Sequence, residues 1–402
     1  MKLNKKVIVD TDYVIDRLRK ALKFPKKFLP LHEPTFSKYE KSFTNLCLKE
    51  GFVSSVGRFV NEFEKKIRNL TKSKYVIAVV NGTSALQIAL KLSNVKANDE
   101  VLVPSITFIG TVNSIIYNNA IPNFVDSELN SFGIDPFKLE KYLQNNCVIK
   151  KNLCFNKKTK RFIKAIIIVH VFGHSAEISQ LKRISKRFRL KIIEDAAEAL
   201  GSYNKKKHLG TFGDFGIISF NGNKTITTGG GGVLLTNSKY LAKRAKHLTT
   251  TAKLSHKWEY VFDETGYNFR LPNINAALGL AQLKKLKEMI NNKRKIFKNY
   301  KKHFKGDEEI KILEEPKNCK SNYWLQTIVL GNKLKKDKNS IIKKGNLSNI
   351  GMRPCWKPLH TLKHLKKYPK MNLNNAEEIY ERIINIPSSS HLKLNDLLRL
   401  LQ

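Results

Sequence analysis

Lys224 stands in Ser219–Phe220–Asn221–Gly222–Asn223–Lys224–Thr225, followed by Thr227–Thr228 and the run Gly229–Gly230–Gly231–Gly232. Small and polar neighbours leave its amine room to act as nucleophile or base. In a lysine-rich chain an ordinary surface lysine is the plain alternative. A phosphate loop needs G-x-x-x-x-G-K-[ST], and Asn223 holds the place of the second glycine, so that reading fails. A second segment, Ile192–Ile193–Glu194–Asp195–Ala196–Ala197–Glu198, runs an apolar strand into three acids. One carboxylate at that strand end could face a cationic ring nitrogen; a helix N-cap is the alternative. No His/Cys/Asp ligand set lies nearby, so no metal is expected. The third is Asn81–Gly82–Thr83–Ser84–Ala85, where a turn opening a helix offers free N–H groups and hydroxyls to a phosphate, or simply caps the helix.

These groups sit within an alternating pattern. Strand-like runs are expected at 76–80, 100–103, 121–125, 163–171, 191–194, 215–219 and 232–235, with helices at 84–92, 108–118, 136–144 and 178–188. Several runs are apolar at nearly every position, as in strands covered on both faces. The rhythm implies an open, mostly parallel α/β sheet whose ligands bind at the carboxyl ends of its strands. After Gly266 the pattern changes to one long helix from Asn273 to about Phe304, a strand at 324–330, further helices and a Leu-rich end.

A phosphate cradle, a strand-end carboxylate and a lysine 29 residues after Asp195 together suit pyridoxal phosphate. That cofactor needs a phosphate site, an acid to keep its ring nitrogen protonated and a lysine to bond it. Phe108, in Ser105–Ile106–Thr107–Phe108, is placed to stack on the ring, with core packing as the alternative.

The chain of 402 residues carries 74 Lys+Arg, 60 of them lysines, against 33 Asp+Glu, a formal charge of +41. Such a surplus suggests a polyanion partner, either an acidic membrane surface or nucleic acid, the latter making this a basic nucleic-acid-binding protein. The lysines are spread along the chain, however, and no nucleic-acid-binding motif accompanies them, so no specific nucleic-acid partner is expected. Lys333–Lys344 reads as a solvated face or loop. Hydrophobic residues make up 41 %, enough for a sizeable core. Five separated cysteines without a C-x-x-C pair, an N-terminus lacking an apolar signal core and no apolar stretch of membrane-spanning length imply a reducing, cytoplasmic setting.

The sequence resembles the DegT/DnrJ/StrS family of sugar aminotransferases from about Phe28 to Leu392. The resemblance is carried by Asn81–Leu86, Glu194–Glu198, Ser219–Lys224 and Gly266–Tyr267–Asn268–Phe269–Arg270. It implies a fold-type-I pyridoxal-phosphate transferase, with an N-terminal helical extension (1–30), a large cofactor-binding α/β domain (31–265) and a small C-terminal domain (266–402). It also implies a homodimer with active sites shared between subunits. By position, Lys224 bonds the cofactor and Asp195 holds the pyridine N–H. Gly82, Thr83, Ser84 and Ser219 hold the phosphate, joined by Asn268 from the other subunit. Phe108 stacks on the ring and Glu198 contacts its hydroxyl. Lys224 argues against the dehydratases of the family, which have His there.

A narrower resemblance is to enzymes of legionaminic-acid and bacillosamine-type pathways. It rests on Leu31–His32–Glu33–Pro34, Phe52–Gly57, Lys246–Lys253 and Trp356–Lys357–Pro358–Leu359–His360. It implies transfer from L-glutamate to C4 of a UDP-linked 4-keto-6-deoxy-2-acetamido sugar, for surface-glycan synthesis, with GDP- or dTDP-linked keto sugars as alternatives. His32, Ser54, Ser55, Arg270, Lys357 and His360 are the implied substrate contacts.

Overall fold

The structure, a computed structural model, describes residues 9–392. Helix α1 (Thr11–Ala21) is capped by Asp10, and α2 (Lys38–Glu50) by a reciprocal Ser37–Glu40 box. Gly51, at φ 77°, ends α2, and α3 (Arg58–Thr71) follows. The alternating region then runs β1 (Tyr75–Val79), α4 (Gly82–Leu92), β2 (Glu100–Pro104), α5 (Ile109–Ile116), β3 (Ile121–Val125) and α6 (Pro136–Asn146). The hairpin β4 (Cys147–Lys150) and β5 (Leu153–Asn156) precedes β6 (Arg161–Val169), α7 (Ile178–Arg187) and β7 (Lys191–Asp195). After the two-residue strands β8 (Tyr203–Asn204) and β9 (Lys207–His208) come β10 (Phe215–Ser219), β11 (Gly232–Thr236) and α8 (Lys239–Thr249).

The large sheet has the order β1-β11-β10-β7-β6-β2-β3, with the β4–β5 hairpin joined to β6. Neighbours from β10 through β3 are parallel, whereas β11 runs antiparallel to both β10 and β1. The fold is thus the expected α/β class, a large mainly parallel sheet matched by aminotransferase structures. Strands β2, β10 and β11 are buried at every residue, which explains their unbroken apolar runs. Alternate residues of β6, such as Ile167 and Ile168, enter different core clusters on the two faces. Burying an isoleucine side chain stabilises by about 1.5–3 kcal/mol, so these strands are strongly fixed.

The C-terminal part comprises α9 (Asn273–Leu283), α10 (Leu286–His303), β12 (Ile310–Ile312), β13 (Cys319–Lys320), β14 (Gln326–Leu330), α11 (Lys338–Leu347), β15 (Arg353–Pro354), α12 (Asn374–Arg382) and β16 (Ile383–Ile386). A second, antiparallel sheet has the order β12-β14-β16-β15, and β13 pairs with β8 in a third small sheet. The single helix expected from Asn273 to Phe304 is two. Ala276, Ala277 and Leu280 of α9 pack with Phe59 and Phe63 of α3, whereas Ile296 and Tyr300 of α10 pack beside the second sheet. The chain turns at Lys284–Lys285, while Leu286 and Met289 at the start of α10 still share the cluster of α9.

Packing crosses the boundaries at both ends. Helix α9, past the boundary at 266, packs against α2 and α3. Val14, Ile15 and Leu18 of α1 are buried in the cluster of the second sheet, and Tyr13 Oη donates to Asp307 Oδ2 at 2.6 Å. Leu334 and Ile341, within the lysine-rich tract, are buried in that same cluster, so one side of the tract is core. The Leu-rich end, from residue 393, lies outside the described residues.

Candidate active site

A cavity of about 850 Å3 opens where β1, β7 and β10 end at their carboxyl termini and the second sheet approaches. Asn81 caps α4, its Oδ1 accepting the Ser84 N–H at 2.8 Å. First-turn N–H groups have no partner within their own helix, which leaves those of Gly82 and Thr83 available at the cavity. A Cβ on Gly82 would lie 3.3 Å from Ser219 Cβ, so glycine lets the helix start approach β10 closely. Gly232 serves the same junction: a Cβ there would meet the Asn81 carbonyl carbon at 2.7 Å.

Side-chain alternation along β7 separates its two acids. Glu194 is fully buried and accepts from His170 Nε2 at 3.0 Å and from the N–H groups of Gly210, Phe212 and Gly213. Burial opposes its charge, but these donors prevail and hold its carboxyl below the usual range. Asp195 instead lines the cavity, with Oδ2 accepting from Thr111 Oγ1 at 2.7 Å and Oδ1 from the Ala197 N–H at 3.2 Å. Thr107 and Thr111 share a 2.9 Å hydroxyl contact behind it. Glu194 therefore braces the 210–213 turn, and Asp195 is the carboxylate presented to a ligand.

Lys224 enters from the loop between β10 and β11. Its Nζ lies 3.4 Å from Glu198 Oε1 and 4.1 Å from the centroid of the Trp324 ring. Glu198 Oε2 accepts the Phe172 N–H at 2.8 Å, holding that residue at φ 55°, a left-handed conformation unusual for a bulky side chain. Burial pushes the Glu198 carboxyl up to about 7, with Lys224 and the Phe172 N–H partly opposing the shift. His32 also lines the cavity. Its Nδ1 is buried without a hydrogen-bond partner among the described residues, and burial together with Lys293, Lys224 and His391 holds the ring well below its ordinary pKa.

Of the residues expected from sequence, Gly82, Thr83, Phe108, Asp195, Glu198, Ser219, Lys224 and His32 line this one cavity. Phe108 is 56 % exposed, which excludes the core-packing alternative. Ser84 lies behind, buried in α4. Asn268 is exposed and pairs with Thr250; Arg270 bridges to Val79 and its buried Nε has no partner among the described residues. Neither lines the cavity of its own chain, nor do Ser54, Ser55 or the exposed Lys357. His360 differs most from expectation. Its Nδ1 contacts Ser105 Oγ at 2.7 Å and its Nε2 contacts Glu377 Oε1 at 3.1 Å, so both ring nitrogens are engaged in bracing β2 against α12. Sequence reasoning missed Thr111, Trp324, Trp356 and Arg353. The Thr107–Thr111 spacing, one turn apart at the start of a helix, was a usable signal; Trp324 arrives from the second sheet and left none.

The model of the DegT/DnrJ/EryC1/StrS aminotransferase family matches residues 35–402. The chain belongs to that family. It is 36 % identical over 365 residues to the GDP-perosamine synthase of Escherichia coli O157:H7, covering 90 % of this chain and 93 % of that one. It is 30 % identical to the UDP-4-amino-4,6-dideoxy-N-acetyl-beta-L-altrosamine transaminase of Campylobacter jejuni (strain 81-176), covering 85 % and 87 %. Among solved structures, Helicobacter pylori PseC, an aminotransferase involved in the biosynthesis of pseudoaminic acid, superimposes with a TM-score of 0.83 at 25 % identity, covering 93 % and 97 %. The aminotransferase acts on nucleotide-linked sugars, and its cofactor is pyridoxal phosphate. The donor set of the cavity fits that cofactor: a helix N-terminus crowding Ser219, a carboxylate at a strand end and one lysine amine between them. No helix among the described residues is long and apolar enough to cross a membrane.

Proposed function

We propose that this aminotransferase moves the amino group of L-glutamate to C4 of a UDP-linked 4-keto-6-deoxy-2-acetamido sugar, the donor and acceptor reacting in turn at one site. The observation that carries the reading is the convergence of Lys224, Asp195, Gly82 and Ser219 on one cavity. The first-turn N–H groups of α4 and the Ser219 hydroxyl bind the cofactor phosphate. Phe108 covers one face of the ring. Asp195, oriented by Thr111, accepts the pyridine N–H and so keeps that nitrogen charged. When bound, pyridoxal phosphate supplies a ring that takes up the electron pair left as the donor loses its α proton. Lys224 Nζ moves that proton between the donor's Cα and the cofactor's C4′. Glu198, beside Lys224, meets the ring hydroxyl.

Asn268, Ser54 and Ser55 act from a second subunit, and Arg270 and Lys357 favour the dianionic nucleotide sugar. The shared site is supported by exposed apolar residues beside these positions: Phe52, Val53 and Val56 on one loop, Trp258, Tyr260 and Phe262 on another. Such patches are costly in a monomer and are covered by association. A GDP-linked 4-keto-6-deoxymannose is the second reading, favoured by 36 % identity to a GDP-perosamine synthase. Incubating the loaded protein with L-glutamate and a panel of UDP- and GDP-linked 4-keto sugars separates the two. The UDP-acetamido sugar should give the 4-amino product fastest, and amination of none of them would refute the proposal.

A further inference from the structure

We propose that Lys293 is a positioning residue for this reaction, tying together two separate pieces of the cavity wall, Trp324 and the segment that carries His32. The proposal rests on Lys224 being the reacting amine. Lys293 projects from α10 and is fully buried. Its Nζ donates to the Trp324 carbonyl at 3.0 Å and to the Ser388 carbonyl at 2.5 Å. Burial holds its pKa well below the ordinary lysine range, and no carboxylate of the described residues pairs with it. Charged or neutral, the amine keeps enough N–H donors for both carbonyls.

Each carbonyl belongs to a residue that leads directly to the site. Trp324 presents its ring to Lys224 Nζ, and its indole N–H donates to the Asn223 carbonyl at 2.7 Å. It therefore packs on the reacting amine and pins the residue before it. Ser388 donates its N–H to the Leu31 carbonyl at 2.7 Å, while Ser389 Oγ accepts the Glu33 N–H at 3.0 Å. His32 is held between these two tethers, its ring lining the cavity. Gln326 closes the arrangement, donating its side-chain N–H to the Lys293 carbonyl at 3.0 Å and its backbone N–H to Ser388 Oγ at 2.7 Å.

A buried amine held only by carbonyls is an expensive way to fill space, and a methionine of similar length avoids the desolvation cost. What the lysine adds is a fixed distance between the chain before β14 and the chain after β16. Rates of bound reactions are sensitive to such distances, a displacement of about 1 Å costing on the order of a hundredfold.

The test uses the full chain loaded with pyridoxal phosphate, as Lys293→Met and Lys293→Gln, the latter keeping a donor. Four quantities are read: melting temperature, cofactor occupancy from visible absorbance, the rate at which hydroxylamine bleaches that absorbance, and kcat and KM for the nucleotide sugar. Hydroxylamine bonds the cofactor's C4′ and releases the Lys224 amine, so its rate reports the packing around Lys224 and requires no sugar. Lys293→Met should load fully and melt within a few degrees of the parent. It should bleach about fivefold faster and raise the sugar KM about tenfold, with Lys293→Gln between the two. Parent-like bleaching and KM in the loaded variant would overturn the proposal, as would losses that merely follow occupancy. If Lys293→Met fails to fold, Lys293→Gln decides the question on the same readings. A parent that aminates no sugar would sink the proposed function and leave the hydroxylamine comparison standing.

Discussion

Replacing Glu198 by Gln should change the pH dependence of stability in the cofactor-free protein. The carboxyl is buried to 6 % exposure and its pKa is pushed from its ordinary 4.5 up to about 7, by burial first. A folded state that holds a proton more tightly than the unfolded chain is favoured at low pH. Below pH 4.5 both states are protonated. As the pH rises the unfolded chain releases its proton first, and stability falls until the folded group ionises near pH 7. Over that window the loss amounts to roughly 3 kcal/mol. The amide introduced by Glu198→Gln would keep an acceptor for the Phe172 N–H but would not titrate. It would also leave Lys224 without its carboxylate, so a net effect of about 2 kcal/mol is the sounder expectation. With about 2 cal/mol/K of unfolding entropy per residue, that corresponds to roughly 2–3 °C in a chain of 402 residues. The assay is thermal unfolding of parent and Glu198→Gln at pH 5 and pH 8. The variant's advantage should widen by that amount at pH 8. Buried histidines titrate in both proteins and cancel in the difference. An equal gap at both pH values would refute the reasoning and show that the 3.4 Å contact with Lys224 outweighs burial.

Three further outcomes follow from the geometry. Lys224→Ala should abolish turnover and the capture of cofactor by borohydride; protein that still retains cofactor covalently after reduction would show that another amine bonds it. Thr111→Val removes a donor to the Asp195 carboxylate, a bond worth about 1.5–3 kcal/mol. kcat/KM should fall about tenfold or more and the melting temperature by no more than about 2–4 °C, and unchanged kcat/KM would mean that Asp195 needs no such support. His174 is fully buried with neither ring nitrogen partnered among the described residues, and burial depresses its pKa to about 4. Its contribution is complete above pH 6.5 and is lost as the pH falls through 4. His174→Phe should therefore match the parent or exceed it at pH 7 and lose less stability at pH 4.5, which urea titration at the two pH values would check.

The large sheet was legible in the sequence for a physical reason. Strands buried on both faces, such as Ile121–Val125 and Phe215–Ser219, are apolar at most positions, and the structure places them at the expected residues. The site motifs were legible because they stand at the carboxyl ends of those strands. Helices α2, α3 and α8 went unread, although Phe59, Val60, Phe63 and Ile67 of α3 form an apolar stripe at helical spacing; in α2 only Glu40 and Cys47 are buried, which leaves little pattern to read. The break between α9 and α10 falls at Lys284–Lys285, which the apolar pattern running through Leu280, Leu283 and Leu286 does not mark. His360 shows the limit from the other side. Its motif resembled a substrate contact, yet Ser105 and Glu377 engage both of its nitrogens. Trp324 could not be found from its neighbours, because its contact with Lys224 joins residues 100 positions apart through the second sheet.

The excess positive charge stands in a different relation to the site than composition suggested. Within the cavity Lys224 and Arg353 face Asp195 and Glu198, the second a carboxyl pushed up to about 7 by burial. A separate cavity of about 390 Å3, between α3, β1 and α8, gathers Lys65, Arg68, Lys74, Lys243 and Lys246 around one carboxylate, Glu64, itself bound to Lys246. The +41 charge is thus a property of the surface rather than of the reacting centre. A field of that kind raises the rate at which a dianionic nucleotide sugar arrives and weakens within about 10 Å at 0.1 M salt. It favours every nucleotide sugar alike. Under the proposed function, discrimination between sugars comes from groups at contact distance; His32, Trp324, Trp356 and Arg353, supplied by the N-terminal segment and the C-terminal part of the chain, are among those lining the cavity.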